Sequence, residues 1–600
     1  MKISEYIADF LVSRGVTDVF TITGGAAMHL NDALGHKEGL KCTYNHNEQA
    51  TTIMAEAYAR LTGRVAAVCV TAGPGSTNAV SGVYGAYVDS IPMIVFSGQA
   101  KRETMVTASE APLRQLGDQE CRITEMVSSI TKCAVTITNP NEIRYQLEKA
   151  WFLANNGRKG PVWIDVPLDI QGTVVYPDEL TGFDSRNTEK VERPYYDKSY
   201  TDKILEKIHE ARRPVILAGE GIRQGDAYKV FLDCTDALKI PVVTAWNAND
   251  LLWDENQYYA GLPGTVGTRG GNFVVQNADL LLVLGCRMNL RIISYNKFQF
   301  AENAYKIVVD IDANELKKPT VKIDMPIHAD VKDVCRSLRN CIDEEVGDHS
   351  EWLKWCREIN KRYPAVLPEY SEKAEPMNPY PFLRGLSEHL GDTDVIVCGN
   401  GAACVQTFQA FHMKKGERIF TNSGSASMGY GYPAAIGAAV ARKGKRVICI
   451  DGDGSFMMNL QELETVVYNK LNIKLVLLNN NGYHSIRQTQ TNLFRGRSYV
   501  GIDSESGVSF PDYSKIADAF GIKYIRIDSL NGMDDKLEEA LSGDEPVFIE
   551  AMVDPAQNFE PKLSSKVLPD GTITSAACDD MFPFLPREEY EAVRAEAQKI

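Results

Sequence analysis

Short, almost uninterrupted apolar runs punctuate this chain, each closed by a turn and followed by an amphipathic stretch. They include VAAVCVT (65–71), PMIVFSG (92–98), PVWIDV (161–166), PVILAG (214–219), DLLLVLG (279–285), KIVVDID (306–312), DVIVCGN (394–400), RVICIDGDG (446–454) and IKLVLLNN (473–480). A strand with one wet face alternates apolar and polar residues, whereas a strand covered on both faces does not. The runs therefore predict α/β architecture, with mainly parallel, doubly wound sheets built from repeated βα units.

Two stretches interrupt the rhythm. Residues 172–200 are polar and aperiodic, and residues 361–381 carry Pro364, Pro368, Pro376, Pro379 and Pro381. Read as linkers, they predict three domains, 1–172, 195–345 and 375–558, followed by a tail, 559–600. A chain of 600 residues is long enough for several buried cores. The first and last domains each carry a Gly-rich turn after a strand, which suggests two related sheets.

Charge narrows the partners. With 64 Lys and Arg against 79 Asp and Glu, the net charge of −15 argues against nucleic acid and anionic membranes as partners. No run approaches the roughly 18 apolar residues of a membrane span. The N-terminal MKISEYIADFLVSRGV lacks the continuous apolar core of a secretory signal, so a cytoplasmic location is expected. The 13 cysteines are odd in number, irregularly spaced and without a CxxC, which fits reduced, buried thiols.

One segment carries the chemistry. Asp451-Gly452-Asp453-Gly454-Ser455 ends a predicted strand, and after one helix the next strand ends at Asn479-Asn480. Asp453 and Asn480 then share the edge of a parallel sheet where ligands bind. The Asp453 carboxylate, the Asn480 amide oxygen and the Gly482 carbonyl suit a hard divalent cation such as Mg²⁺, which takes few protein oxygens and completes its shell with phosphate and water. Gly452 and Gly454 let backbone N–H groups approach a diphosphate at the helix start. An isolated GDG would be only a turn; the Asn pair one helix and one strand later gives it the ligand reading.

GDGS followed by LLNNNGY resembles the motif of thiamine-diphosphate-dependent enzymes, and the likeness extends over about residues 1–555. It is closest to the acetolactate (acetohydroxyacid) synthase catalytic subunit. The resemblance implies that Asp453, Asn480 and Gly482 hold Mg²⁺. YNHNEQATTIMAEAYARLTG places Glu48 at the position that protonates the cofactor's aminopyrimidine, where the plainer role is an acid at a helix start. TITGGAAMHLNDAL sets Gly24 and Gly25 near the reacting carbon, and VTAGPGSTNAVSG sets Gly73, Pro74, Gly75 and Asn78 in the pyrimidine-binding core. Gly401, Ala402 and Ala403 match the second diphosphate loop, and Ser427 and Met428 match the segment that props the cofactor. Ser455 and Tyr483 fall beside the metal motif. Gln119 and His484 are further candidates at the reacting centre, although His484 could equally be a polar loop residue.

In that family the middle domain carries FAD. Here Gly219, Gly221, Arg287 and Asp310 fall where flavin contacts are expected, but GEGIRQG is a weak Gly-rich loop, and FAD stays open. Three departures touch substrate choice: Asp118-Gln119-Glu120 lacks an aromatic residue, Pro167-Leu168-Asp169 lacks a Lys, and Gln488-Thr489-Gln490 has Thr in place of Trp. A smaller, more polar residue at Thr489 should enlarge the acceptor pocket. The tail also departs from the family's ending, and either covers the site or packs on the last domain.

The resemblance implies decarboxylation of a 2-keto acid, with pyruvate the leading donor, and carboligation of the two-carbon unit to a second carbonyl. Alternatives are a bulkier keto acceptor, such as an activated keto sugar, and a non-catalytic regulatory paralogue. A homodimer or homotetramer is implied, because the family holds the two ends of one cofactor on different subunits. A plain NAD-binding reading fails for want of a GxGxxG with a following acidic residue in a strand–helix context.

Overall fold

The computed structural model describes residues 1–187, 194–340, 346–494, 496–567 and 573–600. Part of the first linker (188–193), the last residues of the expected central domain (341–345, with Cys341) and part of the tail (568–572) lie outside the described residues.

Every apolar run named above is a strand, and each forms part of one of three parallel sheets. The first sheet comprises β1 (Asp18–Thr21), β2 (Lys41–Tyr44), β3 (Ala66–Val70), β4 (Met93–Gln99), β5 (Cys133–Thr136) and β6 (Pro161–Pro167), in the order β2-β1-β3-β4-β6-β5. The second comprises β7 (Pro214–Ala218), β8 (Val242–Thr244), β9 (Leu280–Leu284), β10 (Tyr305–Asp310) and β11 (Met325–His328), in the order β11-β10-β9-β7-β8. The third comprises β12 (Val395–Cys398), β13 (Arg418–Phe420), β14 (Val447–Gly452), β15 (Ile473–Asn479), β16 (Lys523–Ile527) and β17 (Val547–Met552), in the order β13-β12-β14-β15-β17-β16. The first and third sheets thus repeat one topology. Their third strands, β3 and β14, deliver equivalent Gly-rich turns, Gly73–Asn78 and Gly452–Ser455. The tail adds an antiparallel pair, β18 (Ser565–Val567) with β19 (Ile573–Ser575).

The first and third domains also share a core. The helix Glu48–Thr62 lies against the helix Gly431–Arg442, and Ile53, Met54 and Ala57 pack in one apolar cluster with Ala435, Ile436 and Ala439. Small residues allow this close approach: a Cβ on Gly437 would lie 2.0 Å from the Met54 carbonyl oxygen. Beside it, buried Arg60 pairs with Glu56 and, at 2.7 Å, with Asp89. Tyr430 in turn donates to Glu56 Oε2 at 2.8 Å, and Gly424 N–H donates to Asp89 Oδ1 at 3.0 Å. The carboxylates of this buried network draw their partners from both domains, while Arg60 Nη1 is left without a hydrogen-bond partner. Gly437→Val is expected to cost about 3 kcal/mol, because backbone must move to admit the side chain. Scanning calorimetry should show the first and third domains melting earlier together; an unchanged melt would contradict the tight crossing. The central domain has its own core, into which Tyr590, Val593 and Ala597 of the C-terminal helix Arg587–Lys599 pack.

Candidate active site

The third domain builds a cavity of about 450 Å³ at the C-terminal ends of β12, β14 and β15. Gly401, Ala402, Met428, Gly452, Asp453, Gly454, Ser455, Asn480, Gly482, Tyr483 and His484 line it. Gly401 opens the helix Ala402–Ala410 with φ of 86°, a conformation that favours glycine. Gly454 leaves room for the Tyr483 ring, since a Cβ there would lie 2.2 Å from it.

The metal set is assembled from two strand ends. Asp453 is buried, accepting from Gly454 N–H at 2.9 Å through Oδ1 and from Gly482 N–H at 2.8 Å through Oδ2. Burial pushes its carboxyl up to about 7, against the opposing pull of two backbone N–H groups and of Arg487. Asn480 Oδ1 is buried without a hydrogen-bond partner. A buried, orphaned oxygen is costly unless something binds it. Positive φ at Asn481 (55°) and Gly482 (138°) turns the chain back beside Asp453. Among the described residues no cluster of three or more His, Cys, Asp and Glu is placed to hold a metal. One carboxylate with neutral oxygens therefore remains, and these residues fit a Mg²⁺ that brings its own phosphate and water ligands.

Two of the expected contacts, Ala403 and Ser427, do not line this cavity. Ala403 is buried inside its helix. Ser427 is occupied by its neighbours: its Oγ accepts from Asn422 Nδ2 at 2.8 Å, and its carbonyl accepts from Asn400 Nδ2 at 2.8 Å. Ser455 lines the cavity, but its Oγ accepts from Gly429 N–H at 2.9 Å and so also ties two turns together.

The first domain gathers its residues on a different edge. Glu48 is the first residue of its helix, behind an Asn47 cap, and its Oε2 accepts from Asn78 Nδ2 at 3.0 Å. Gly75 lies beside it, with a hypothetical Cβ 3.4 Å from Glu48 Oε1. Gly24 abuts Thr71, and the Gln119 carbonyl abuts Gly73. Gly25, Pro74, Asn78 and Gln119 are exposed. None of these residues lines the third-domain cavity, so one chain does not bring Glu48 and Asp453 into one pocket.

His484 is buried at the start of the helix His484–Leu493, and its Nε2 lies 2.7 Å from Gln488 Nε2. Burial, with Arg487 nearby, pushes its imidazole down to about 4, so the ring is neutral near pH 7. Sequence reasoning missed other wall residues: Trp246, Val266 and Arg291 from the central domain, and Phe559 and Lys562 from the tail. Trp246 stacks on Phe408 with centroids 4.8 Å apart, which anchors that wall.

A second cavity, of about 460 Å³, opens at the C-terminal edge of the central sheet. Gly219, Gly221, Arg287 and Asp310 all line it. A Cβ on Gly219 would lie 2.3 Å from the Gly285 carbonyl oxygen, and one on Gly221 would lie 2.7 Å from it, so both glycines serve close turn packing.

Against known proteins, three family descriptions match in chain order: thiamine pyrophosphate enzyme, N-terminal TPP binding domain (residues 1–121), central domain (201–338) and C-terminal TPP binding domain (399–551). The chain is 31% identical to the acetolactate synthase large subunit of Lactococcus lactis, over 95% of this chain and 96% of that protein. The chain belongs to the thiamine pyrophosphate enzyme family. A probable acetolactate synthase large subunit of Methanocaldococcus jannaschii is 33% identical, over 93% of each chain. Acetolactate synthase isozyme 1 large subunit of Escherichia coli is 29% identical, over 93% of this chain and 95% of that one. Thiamine diphosphate is thus the cofactor that the two outer domains are built to bind. No helix among the described residues is long and apolar enough to cross a membrane.

Proposed function

We propose that this chain decarboxylates a 2-keto acid, with pyruvate the leading donor, and joins the two-carbon unit to a second carbonyl, as the name acetolactate synthase describes for its relatives. The observation that carries this reading is the pairing of Glu48 with Asn78 on one domain with the Asp453, Asn480 and Gly482 set on its topological twin. A regulatory paralogue would have no need to keep both. When bound, thiamine diphosphate supplies a carbon nucleophile and an electron sink.

The residues divide the remaining work. Asp453, Asn480 and the Gly482 carbonyl would hold Mg²⁺, and the amides of the Gly452–Ser455 turn would bind the diphosphate. Met428, in the cavity wall, would support the cofactor. Glu48 would supply the proton that the aminopyrimidine needs, and Asn78 holds the carboxyl in place. Because Glu48 and the cavity lie on separate edges, Glu48 of one copy serves the cavity of a second, and a homodimer is the smallest active unit, alone or within a tetramer. Apolar side chains exposed in the single chain, among them Tyr84, Met458 and Tyr468, support such a contact. The many buried free thiols suit a reducing cytoplasm.

Incubation with pyruvate, Mg²⁺ and thiamine diphosphate is expected to yield CO₂ and acetolactate. CO₂ without acetolactate would redirect the reading to a bulkier keto acceptor, consistent with Thr489 in the cavity wall; neither product would refute it.

We assign the central cavity to FAD. It lies where parallel sheets bind such ligands, with Asp310 at the end of β10 and Arg287 in the wall. The purified protein is expected to show a flavin absorption band that is released on denaturation; its absence after reconstitution would overturn the assignment.

A further inference from the structure

The tail is pinned across two domains before it reaches its final helix. Lys562 and Phe582 exchange backbone hydrogen bonds of 2.9 and 2.7 Å. Gln409 Nε2 donates to the Pro561 carbonyl at 2.6 Å, and Leu563 N–H donates to the Thr265 carbonyl at 2.7 Å. Arg269 donates to the carbonyls of Met581 and Pro583 at 3.1 and 2.6 Å. This pinning places Phe559 and Lys562 in the wall of the diphosphate cavity. The Phe559 ring meets His484 edge-on at 5.5 Å.

Lys562 Nζ donates to Gln488 Oε1 at 3.0 Å, so the Gln488 amide nitrogen faces His484. His484 Nε2 then accepts, and Nδ1 is left to carry the ring proton. The ammonium is thus held by a neutral amide, itself held by a neutral imidazole. Lys562 forms no ion pair within 4 Å among the described residues, Glu560 acting on it only from farther away, and two of its three N–H donors remain to be used. The part of the wall built by one chain holds one carboxylate, Asp453 at the metal end, against two cations, Lys562 and Arg291, and the Glu48 of a second copy would enter at the catalytic end. Past the metal set, the cavity is therefore built to receive negative charge.

We propose that Lys562 binds an anionic group, carboxylate or phosphate, on the carbonyl acceptor, with Gln488 and His484 as positioning residues. The proposal rests on the carboligase reading and adds to it the chemistry by which the acceptor is chosen. The anion could be the carboxylate of a second 2-keto acid or the phosphate of an activated keto sugar. Burial lowers the Lys562 ammonium from its ordinary value, which an incoming anion would reverse. A charge-assisted hydrogen bond in such a site is worth about 10- to 100-fold in affinity.

The test compares acceptors in holoenzyme carrying Lys562→Met, which keeps the stem and removes the charge. Acceptor KM should rise about 10- to 100-fold for pyruvate, or for a nucleotide-linked keto sugar, whichever the enzyme uses, and far less for neutral acetaldehyde. The anionic acceptor whose KM moves identifies the source. Lys562→Arg should recover part of the loss, which a purely structural role would not predict. An equal rise for acetaldehyde, an unchanged KM for the anionic acceptor, or a wild type that joins only neutral aldehydes would overturn the proposal. A wild type that releases no CO₂ from pyruvate in its first turnover would instead overturn the carboligase reading.

Discussion

Glu48→Gln is expected to lower CO₂ release from pyruvate by about 100- to 10,000-fold, the range of a lost general acid, while cofactor binding stays nearly intact. The substitution is close to isosteric. The Gln carbonyl can still accept from Asn78, which now donates to Glu48 Oε2 at 3.0 Å. What is lost is the transferable proton. The plainer role, an acid at the first position of a helix, predicts a different outcome: a stability loss of about 0.3–1 kcal/mol and little change in turnover. Turnover and thermal unfolding measured together separate the two. Unchanged turnover would remove Glu48 from the catalytic machinery.

The second large effect is expected at Asp453→Ala. Thiamine diphosphate and Mg²⁺ should bind at least about 100-fold more weakly, exceeding the roughly 10- to 100-fold typical of outer-shell changes at metal sites. The cofactor-free protein should lose little stability by comparison. Burial has already pushed the Asp453 carboxyl up to about 7, and removing a buried, only partly compensated charge relieves desolvation even as two backbone N–H contacts go. Activation constants for both ligands, with melting of the cofactor-free protein, test this. An unchanged activation constant would move the metal elsewhere.

The strands legible in the sequence were those with neighbours on both sides. Every apolar run singled out there is an interior strand. The edge strands β2, β5, β8, β11, β13 and β16 escaped notice, as did the inner strands β1 and β17. Edge strands are short or partly wet, and β16 alternates buried and exposed positions. The same logic governs the site. Asp453 and Asn480 follow two neighbouring strands and are separated by helical turns and one strand, so spacing alone puts them on one edge. Trp246, Arg291 and Lys562 reach that cavity only through packing between domains and the pinning of the tail, for which local sequence carries no period. Ser427 shows the converse: it lies in a matching segment, yet its hydroxyl serves Asn422.

The core shared by the helices Glu48–Thr62 and Gly431–Arg442 has a consequence for how the protein is made. The first domain leaves the ribosome with the face bearing Ile53, Met54 and Ala57 uncovered, because its partner helix is encoded far downstream. At about 5–20 residues per second, translation leaves that face bare for on the order of tens of seconds. Over that interval Arg60 and Glu56 also lack Tyr430, while the central domain can close around its own strands. Nascent chains of this protein thus carry an uncovered apolar face until the third domain emerges.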